Sequence, residues 1–154
     1  MNVFDYIDIS RIKYLPTGSK TECLNQLVDA SAECLHSRLK FAESIHKREE
    51  LMSTGLGFEL AFPHSKCDSV VDFFITIGIS IAGIDWQSFD GLPVKMVFMI
   101  GGPVEDQDRY LRILAALSNL VKKEENRMEL LGALNPEEFH NIFSKLALME
   151  NQAV

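Results

Sequence analysis

Apolar positions in the first third of the chain recur every three or four residues, the period of a helix with one buried face. Ser19-Lys-Thr-Glu22 opens this stretch, a capping hydroxyl followed three residues later by a carboxylate that can reach back to the cap. Leu24, Leu27, Val28, Ser31 and Leu35 then share one side, which predicts a first helix. A second is predicted over 38–51, with Leu39, Ala42, Ile45 and Leu51 opposite the charged run His46-Lys-Arg-Glu-Glu50, whose end Glu49-Glu50 reads as a solvated face. The texture changes at Ser53-Thr-Gly-Leu-Gly57, where glycines and hydroxyls favour an irregular loop. Phe58-Glu-Leu-Ala-Phe62 reads as a short strand stopped by Pro63, which has no N–H to donate. Residues 70–81 and 93–100 are dense in β-branched and aromatic side chains and are predicted strands, separated by a turn at Asp90-Gly91. Helical spacing returns over 106–123, with Tyr110, Leu114, Leu117 and Val121 in a stripe beside Leu111, Ala115 and Ser118. A short helix over 124–132 follows, and Lys122-Lys-Glu-Glu125 reads as solvated. The last helix begins with Asn135 as N-cap, Pro136 at the first helical position and Glu138 completing a capping box, and buries Phe139, Ile142, Phe143, Leu146 and Ala147. Helices at both ends of a strand-rich middle predict a single α/β domain with helices packed on a small sheet.

Composition changes this picture only by exclusion. The 154 residues suit one core, and 47% hydrophobic against 24% charged residues describe a chain that folds. A net charge of −7 leaves no basic surplus to displace counterions from a nucleic acid, so none is expected as a ligand. Cys23, Cys34 and Cys67 cannot pair evenly and show no C-x-x-C spacing, which points to packing roles in a reducing compartment. The N-terminal segment is acidic where a signal peptide is basic, and no apolar run approaches a membrane span. A cytoplasmic protein with no membrane insertion is expected.

The candidate chemistry centres on one of four histidines. His36, His46 and His140 fall among charged neighbours in helical stretches, where solvation or packing explains them. His64 follows a strand and a proline, which fix its approach, and a neutral imidazole so presented is a nucleophile. A strand-end histidine that hydrogen-bonds a backbone carbonyl is the simpler alternative. If His64 accepts a phosphoryl group, donors are needed nearby. Ser53, Thr54 and Gly55 offer hydroxyls and an N–H, and Arg48 offers a forked cation matched to phosphate, or else a helix-end cation facing its own carbonyls. Cys67, three residues after His64, allows a cysteine-enzyme reading, although no orienting acid or oxyanion motif accompanies it.

Arg48-Glu-Glu-Leu-Met-Ser-Thr-Gly-Leu-Gly57 followed by Leu60-Ala-Phe-Pro-His64 resembles the signature of the enzyme IIA domains of the bacterial phosphotransferase system, in the fructose/mannitol class that includes nitrogen-regulatory IIA proteins. The likeness extends more loosely over about 20–145, through Ser19-Lys20, Phe89-Asp-Gly-Leu-Pro-Val94 and the final helix. It implies a mixed β-sheet flanked by helices on both faces, with His64 as phospho-acceptor, Arg48 as its stabilising cation, and no metal or organic cofactor. An HPr-like phosphocarrier would supply the group, which passes to a cysteine of a IIB component or serves as a regulatory signal. Leu56, Phe58 and Phe62 are candidates for the contact with HPr. Where the family commonly carries a second active-site histidine, this chain has Tyr110, which can donate a hydrogen bond to a phosphoryl oxygen but cannot become cationic. Regulation is therefore expected ahead of fast sugar flux; a IIA-like module that is never phosphorylated is the alternative.

Overall fold

The densest run of β-branched and aromatic residues forms the centre of the sheet. In a computed structural model describing residues 1–152, Phe74–Ile84 pairs antiparallel with Val94–Gly102, from Phe74 opposite Gly101 to Ile84 opposite Val94. In chain order the elements are β1 (Ile7–Tyr14), α1 (Lys20–Ala30), α2 (Arg38–Leu51), β2 (Gly55–Gly57), β3 (Leu60–Ala61), β4 (His64–Lys66), β5 (Phe74–Ile84), β6 (Val94–Gly102), α3 (Gln107–Val121), α4 (Glu124–Leu131) and α5 (Pro136–Gln152). The sheet runs β1-β5-β6-β3-β2, with β4 also on β6; β1 is parallel to β5, β3 and β4 are parallel to β6, and β2 is antiparallel to β3. This is the mixed sheet the resemblance implied.

Alternation along β5 and β6 sends successive side chains to opposite faces. Ile75, Ile77, Ile79, Met96, Phe98 and Ile100 pack under α3 and α5, against Ile113, Leu117, Phe139 and Phe143. Phe74, Val97 and Met99 face the other way, against Leu24, Leu27, Phe41 and Ile45 of α1 and α2. Both faces are covered, so neither central strand shows the apolar–polar alternation of a half-solvated sheet. Cys23 lies within the second cluster, and burial pushes its thiol up to about 12. Cys34 and Cys67 pack against the same cluster, and all three thiols are free.

The helix starts are set by their caps. Ser19 Oγ accepts from Glu22 N–H while the Glu22 carboxylate accepts from Ser19 N–H, the box expected from sequence. At α5, Asn135 Oδ1 accepts from Glu138 N–H, but the Glu138 carboxylate reaches one residue further back, to Leu134 N–H. The α3 stripe also sits slightly rotated from the expected one. Ile113 and Leu120 are buried with Tyr110, Leu117 and Val121, whereas Leu111 faces solvent.

Four departures from the sequence pattern matter. Strand β1 was not foreseen: a bulge between Ile7 and Ile12 breaks its period, leaving only Ile7, Arg11 and Ile12 buried. The expected strand over 58–62 is instead a β2–β3 hairpin whose turn, Phe58 and Glu59, has positive φ; Gly57, at φ +91, leads into it. Proline 63 interrupts the strand without ending it. Pairing to β6 resumes at His64, which opens β4 opposite Ile100, and the Pro63 carbonyl accepts from Ile100 N–H at 2.9 Å. Finally, Glu49 is not solvated: it is buried on α2 beside Phe41, Ala42 and Ile45, while Leu39 and Leu51 are exposed.

Candidate functional site

Strand β4 places His64 and Lys66 on one side of the chain, two residues apart, as strand geometry requires. Between them Ser65 turns toward α2, where its hydroxyl hydrogen-bonds that of Ser44. The three elements α2, β4 and α3 enclose a cleft of about 370 Å³ lined by Ser44, Lys47, Arg48 and Leu51, by His64, Ser65 and Lys66, and by Tyr110. Among the described residues no carboxylate lines it, so in a chain of net charge −7 the cleft gathers three cations around one imidazole. That setting suits an anion.

The imidazole is held by its own backbone. His64 Nδ1 lies 2.8 Å from the Phe62 carbonyl, which can only accept, so Nδ1 carries the proton and Nε2 keeps its lone pair. Burial of the half-exposed ring holds its pKa below the ordinary 6.5; the Arg48 charge acts in the same direction, against the opposing pull of the Phe62 carbonyl. The neutral, nucleophilic form therefore dominates at neutral pH. An NMR titration of the His64 ring is expected to give a midpoint below 6.5, with reactivity flat down to that midpoint and falling beneath it. A midpoint at or above 6.5 would contradict this. The same linkage acts on stability. The unfolded ring holds its proton to higher pH than the folded one, so this contribution is complete above 6.5 and is lost as pH falls through the folded value.

Arg48 closes its own helix and also reaches the cleft. Its Nη1 donates to the Met52 carbonyl at 2.9 Å, ending its own helix, and the same side chain lines the cleft. Tyr110 is likewise both core and site: 6% exposed and packed on Phe73, it stands with its ring centroid 6.0 Å from that of His64. Burial raises the pKa of its hydroxyl, so the phenol is neutral.

The structure does not bring Ser53, Thr54 or Gly55 into the cleft. Ser53 Oγ donates to the Trp86 carbonyl at 2.7 Å and accepts from Gly55 N–H. Thr54 donates both its N–H and its hydroxyl to the buried Glu49 carboxylate, and Gly55 pairs with Ala61 in the sheet. Glu49, expected to be solvated, is the buried acceptor that holds Thr54 away from the cleft. Phe62, 5% exposed, is core rather than contact surface, whereas Leu56 and Phe58 are exposed. Cys67 does not line the cleft; its Sγ meets Ser69 Oγ at 3.0 Å, so no thiol–imidazole pair forms. His46 and His140 lie on helices as expected, His46 bonding Asn25 Oδ1 and His140 packing on Phe4, whereas His36, expected in a helical stretch, is exposed in the bend before α2. Lys66 and Lys47 escaped the sequence reading. Lys66 would have been found had the strand been carried past Pro63, since i and i+2 share a face.

A model of the phosphoenolpyruvate-dependent sugar phosphotransferase system EIIA 2 family matches residues 6–146. The chain belongs to that family. EIIA components are the phosphotransferase carriers of this system. The chain is 29% identical to the fructose-specific EIIA component of Haloferax volcanii, over 92% of this chain and 98% of the relative. It is 37% identical to the fructose-specific EIIABC component of Bacillus subtilis, over 72% of this chain and only 18% of that much longer protein. In fold it is similar to the nitrogen regulatory protein IIA-Ntr of Neisseria meningitidis, with a TM-score of 0.85 at 24% identity, covering 92% of this chain and 98% of the other. No described helix of this EIIA chain is long and apolar enough to cross a membrane.

Proposed function

We propose that this chain is a cytoplasmic phosphoryl carrier that accepts phosphate on His64 from the phosphohistidine of an HPr-like donor. The observation that carries the reading is the hydrogen bond from Nδ1 to Phe62, which aims an unprotonated Nε2 at a cleft of cations. In the transfer, the Nε2 lone pair forms the new N–P bond while the donor's N–P bond breaks, and its electron pair returns to a donor imidazole protonated on its other nitrogen, which leaves as a neutral ring. Nδ1 keeps its proton on the Phe62 carbonyl throughout. Arg48 stabilises the charge spread over the equatorial oxygens, its Nη1 turning from Met52 toward the phosphoryl group. Its replacement in Arg48→Met is expected to slow uptake on the order of 10²-fold. Rates within a factor of about two of the parent would remove Arg48 from the site.

Two uses of the phosphorylated form have support. The fructose-specific names of the two relatives favour transfer onward to a IIB cysteine. A relative named nitrogen regulatory protein, from Bradyrhizobium diazoefficiens, is 26% identical over 84% of the chain and favours a regulatory signal. Incubation with phosphoenolpyruvate, enzyme I and HPr is expected to add one acid-labile, base-stable phosphate. Adding a purified IIB component then separates the uses, since only a transport component passes the label on. A protein that takes up no label, or only acid-stable label, is a binding module and not a carrier.

A further inference from the structure

The cleft holds a second cation whose setting differs from that of Arg48. Lys66 emerges from β4 two residues after His64, about 7 Å along the strand, and lines the same cleft. Its Nζ stands 5.3 Å from the Tyr110 ring centroid. No carboxylate lies within ion-pair distance of it among the described residues, although Lys20, Lys95 and Lys123 each have one. The face of an aromatic ring attracts an ammonium through its quadrupole and places it, but the ring bears no charge and so does not neutralise it. Tyr110 is suited to this task because it is immobile and uncharged: 6% exposed, packed on Phe73, and kept neutral by burial. The ring also lies beside His64, so the surface that places Lys66 is the one that borders the nucleophile.

Resting on the carrier reading above, we propose that Lys66 is a catalytic residue that contacts the phosphoryl group on His64, and that Tyr110 is a positioning residue acting through its ring rather than its hydroxyl. When the N–P bond to Nε2 forms, a group of about two negative charges enters the cleft. Arg48 meets it from α2 and Lys66 from β4. The positive charge that Tyr110 cannot carry is thus supplied by the lysine it supports. An acidic side chain is absent from the cleft lining among the described residues, and a carboxylate there would pair with one of these cations and repel the ligand.

The test uses the intact chain with phosphoenolpyruvate, enzyme I and HPr, and compares Lys66→Met, Lys66→Arg, Tyr110→Leu, Tyr110→Phe and the double variant Lys66→Met/Tyr110→Leu. Lys66→Met keeps the apolar stem and should melt like the parent. It is expected to slow phosphate uptake about tenfold, less than a fully enclosed donor would because the lysine is half-exposed. It should also raise the pH midpoint of the ³¹P resonance of the phosphohistidine, since a lost cation favours the protonated phosphoryl group. Lys66→Arg should restore most of the rate. Tyr110→Leu should show the same rate loss and ³¹P shift, Tyr110→Phe should recover both, and the double variant should lose no more than Lys66→Met alone. A ³¹P midpoint unmoved in Lys66→Met would overturn the role of Lys66 while a labelled parent left the carrier reading standing. If Tyr110→Phe is as poor as Tyr110→Leu, the hydroxyl acts and the platform is wrong. An unlabelled parent would overturn both the carrier and this extension of it.

Discussion

The His64→Ala protein is expected to fold as the parent does and to accept no phosphate, a loss on the order of 10³-fold or more in the rate of uptake. The two halves of that expectation come from different observations. The ring is half-exposed at the cleft and makes one hydrogen bond, to the Phe62 carbonyl, so truncation costs about 1 kcal/mol of stability. Chemically, no other group in the cleft can replace it. The ammonium groups of Lys47 and Lys66 and the Arg48 guanidinium offer no free lone pair, Tyr110 is a buried phenol with its pKa raised, and the Ser44 and Ser65 hydroxyls have no adjacent base but His64 itself. Thermal melting and radiolabel uptake on the same sample check both halves. A variant that melts normally and labels as well as the parent would move the acceptor elsewhere in the chain.

Glu49→Ala is expected to be the most damaging single change to stability near the site, by about 3–5 kcal/mol, because it leaves a buried charge without its counterion. Glu49 is 7% exposed and serves three donors: Lys20 Nζ at 2.7 Å, Thr54 N–H at 2.7 Å and the Thr54 hydroxyl. Without it, Lys20 retains only the Trp86 carbonyl at 3.4 Å and the face of the Trp86 ring. The Thr54 N–H loses its acceptor altogether, and a buried, unpaired N–H is costly. The damage should reach the nucleophile. The Thr54 carbonyl accepts from Phe62 N–H at 3.0 Å, and the Phe62 carbonyl holds His64 Nδ1, so the carboxylate anchors the strand that aims the imidazole. Glu49→Gln keeps an acceptor for Thr54 and should fall between the parent and Glu49→Ala. Urea denaturation measures the difference; a cost below about 1 kcal/mol for Glu49→Ala would show that water reaches this carboxylate and that it does not organise the loop.

These two residues show where the sequence was readable. His64 stands out because proline and a glycine–hydroxyl loop are local signals, and the Ser19–Glu22 capping box and the densely apolar strands β5 and β6 are equally local. Glu49 was misread for the opposite reason. It continues the buried face of Phe41, Ala42 and Ile45, but it lies in a run of charges, and only Lys20 and Thr54, outside the helix, make its burial tolerable. The partners of Ser53 and Thr54, the Trp86 carbonyl and Glu49, depend on which neighbours are buried, which the local pattern does not give. Strand β1 was hidden by a bulge, and Lys66 by a proline taken as the end of a strand that resumes one residue later. What was lost depends on pairing between segments far apart in the chain, which no local period encodes.

The most direct test is a long-range ¹H–¹⁵N correlation spectrum of the phosphorylated protein, which reports separately on the two nitrogens of the His64 ring. The expected spectrum has phosphorus coupled to Nε2 and a proton retained on Nδ1, as the hydrogen bond to Phe62 requires. Phosphorus on Nδ1, or on any residue other than His64, would contradict the orientation on which the proposed chemistry rests.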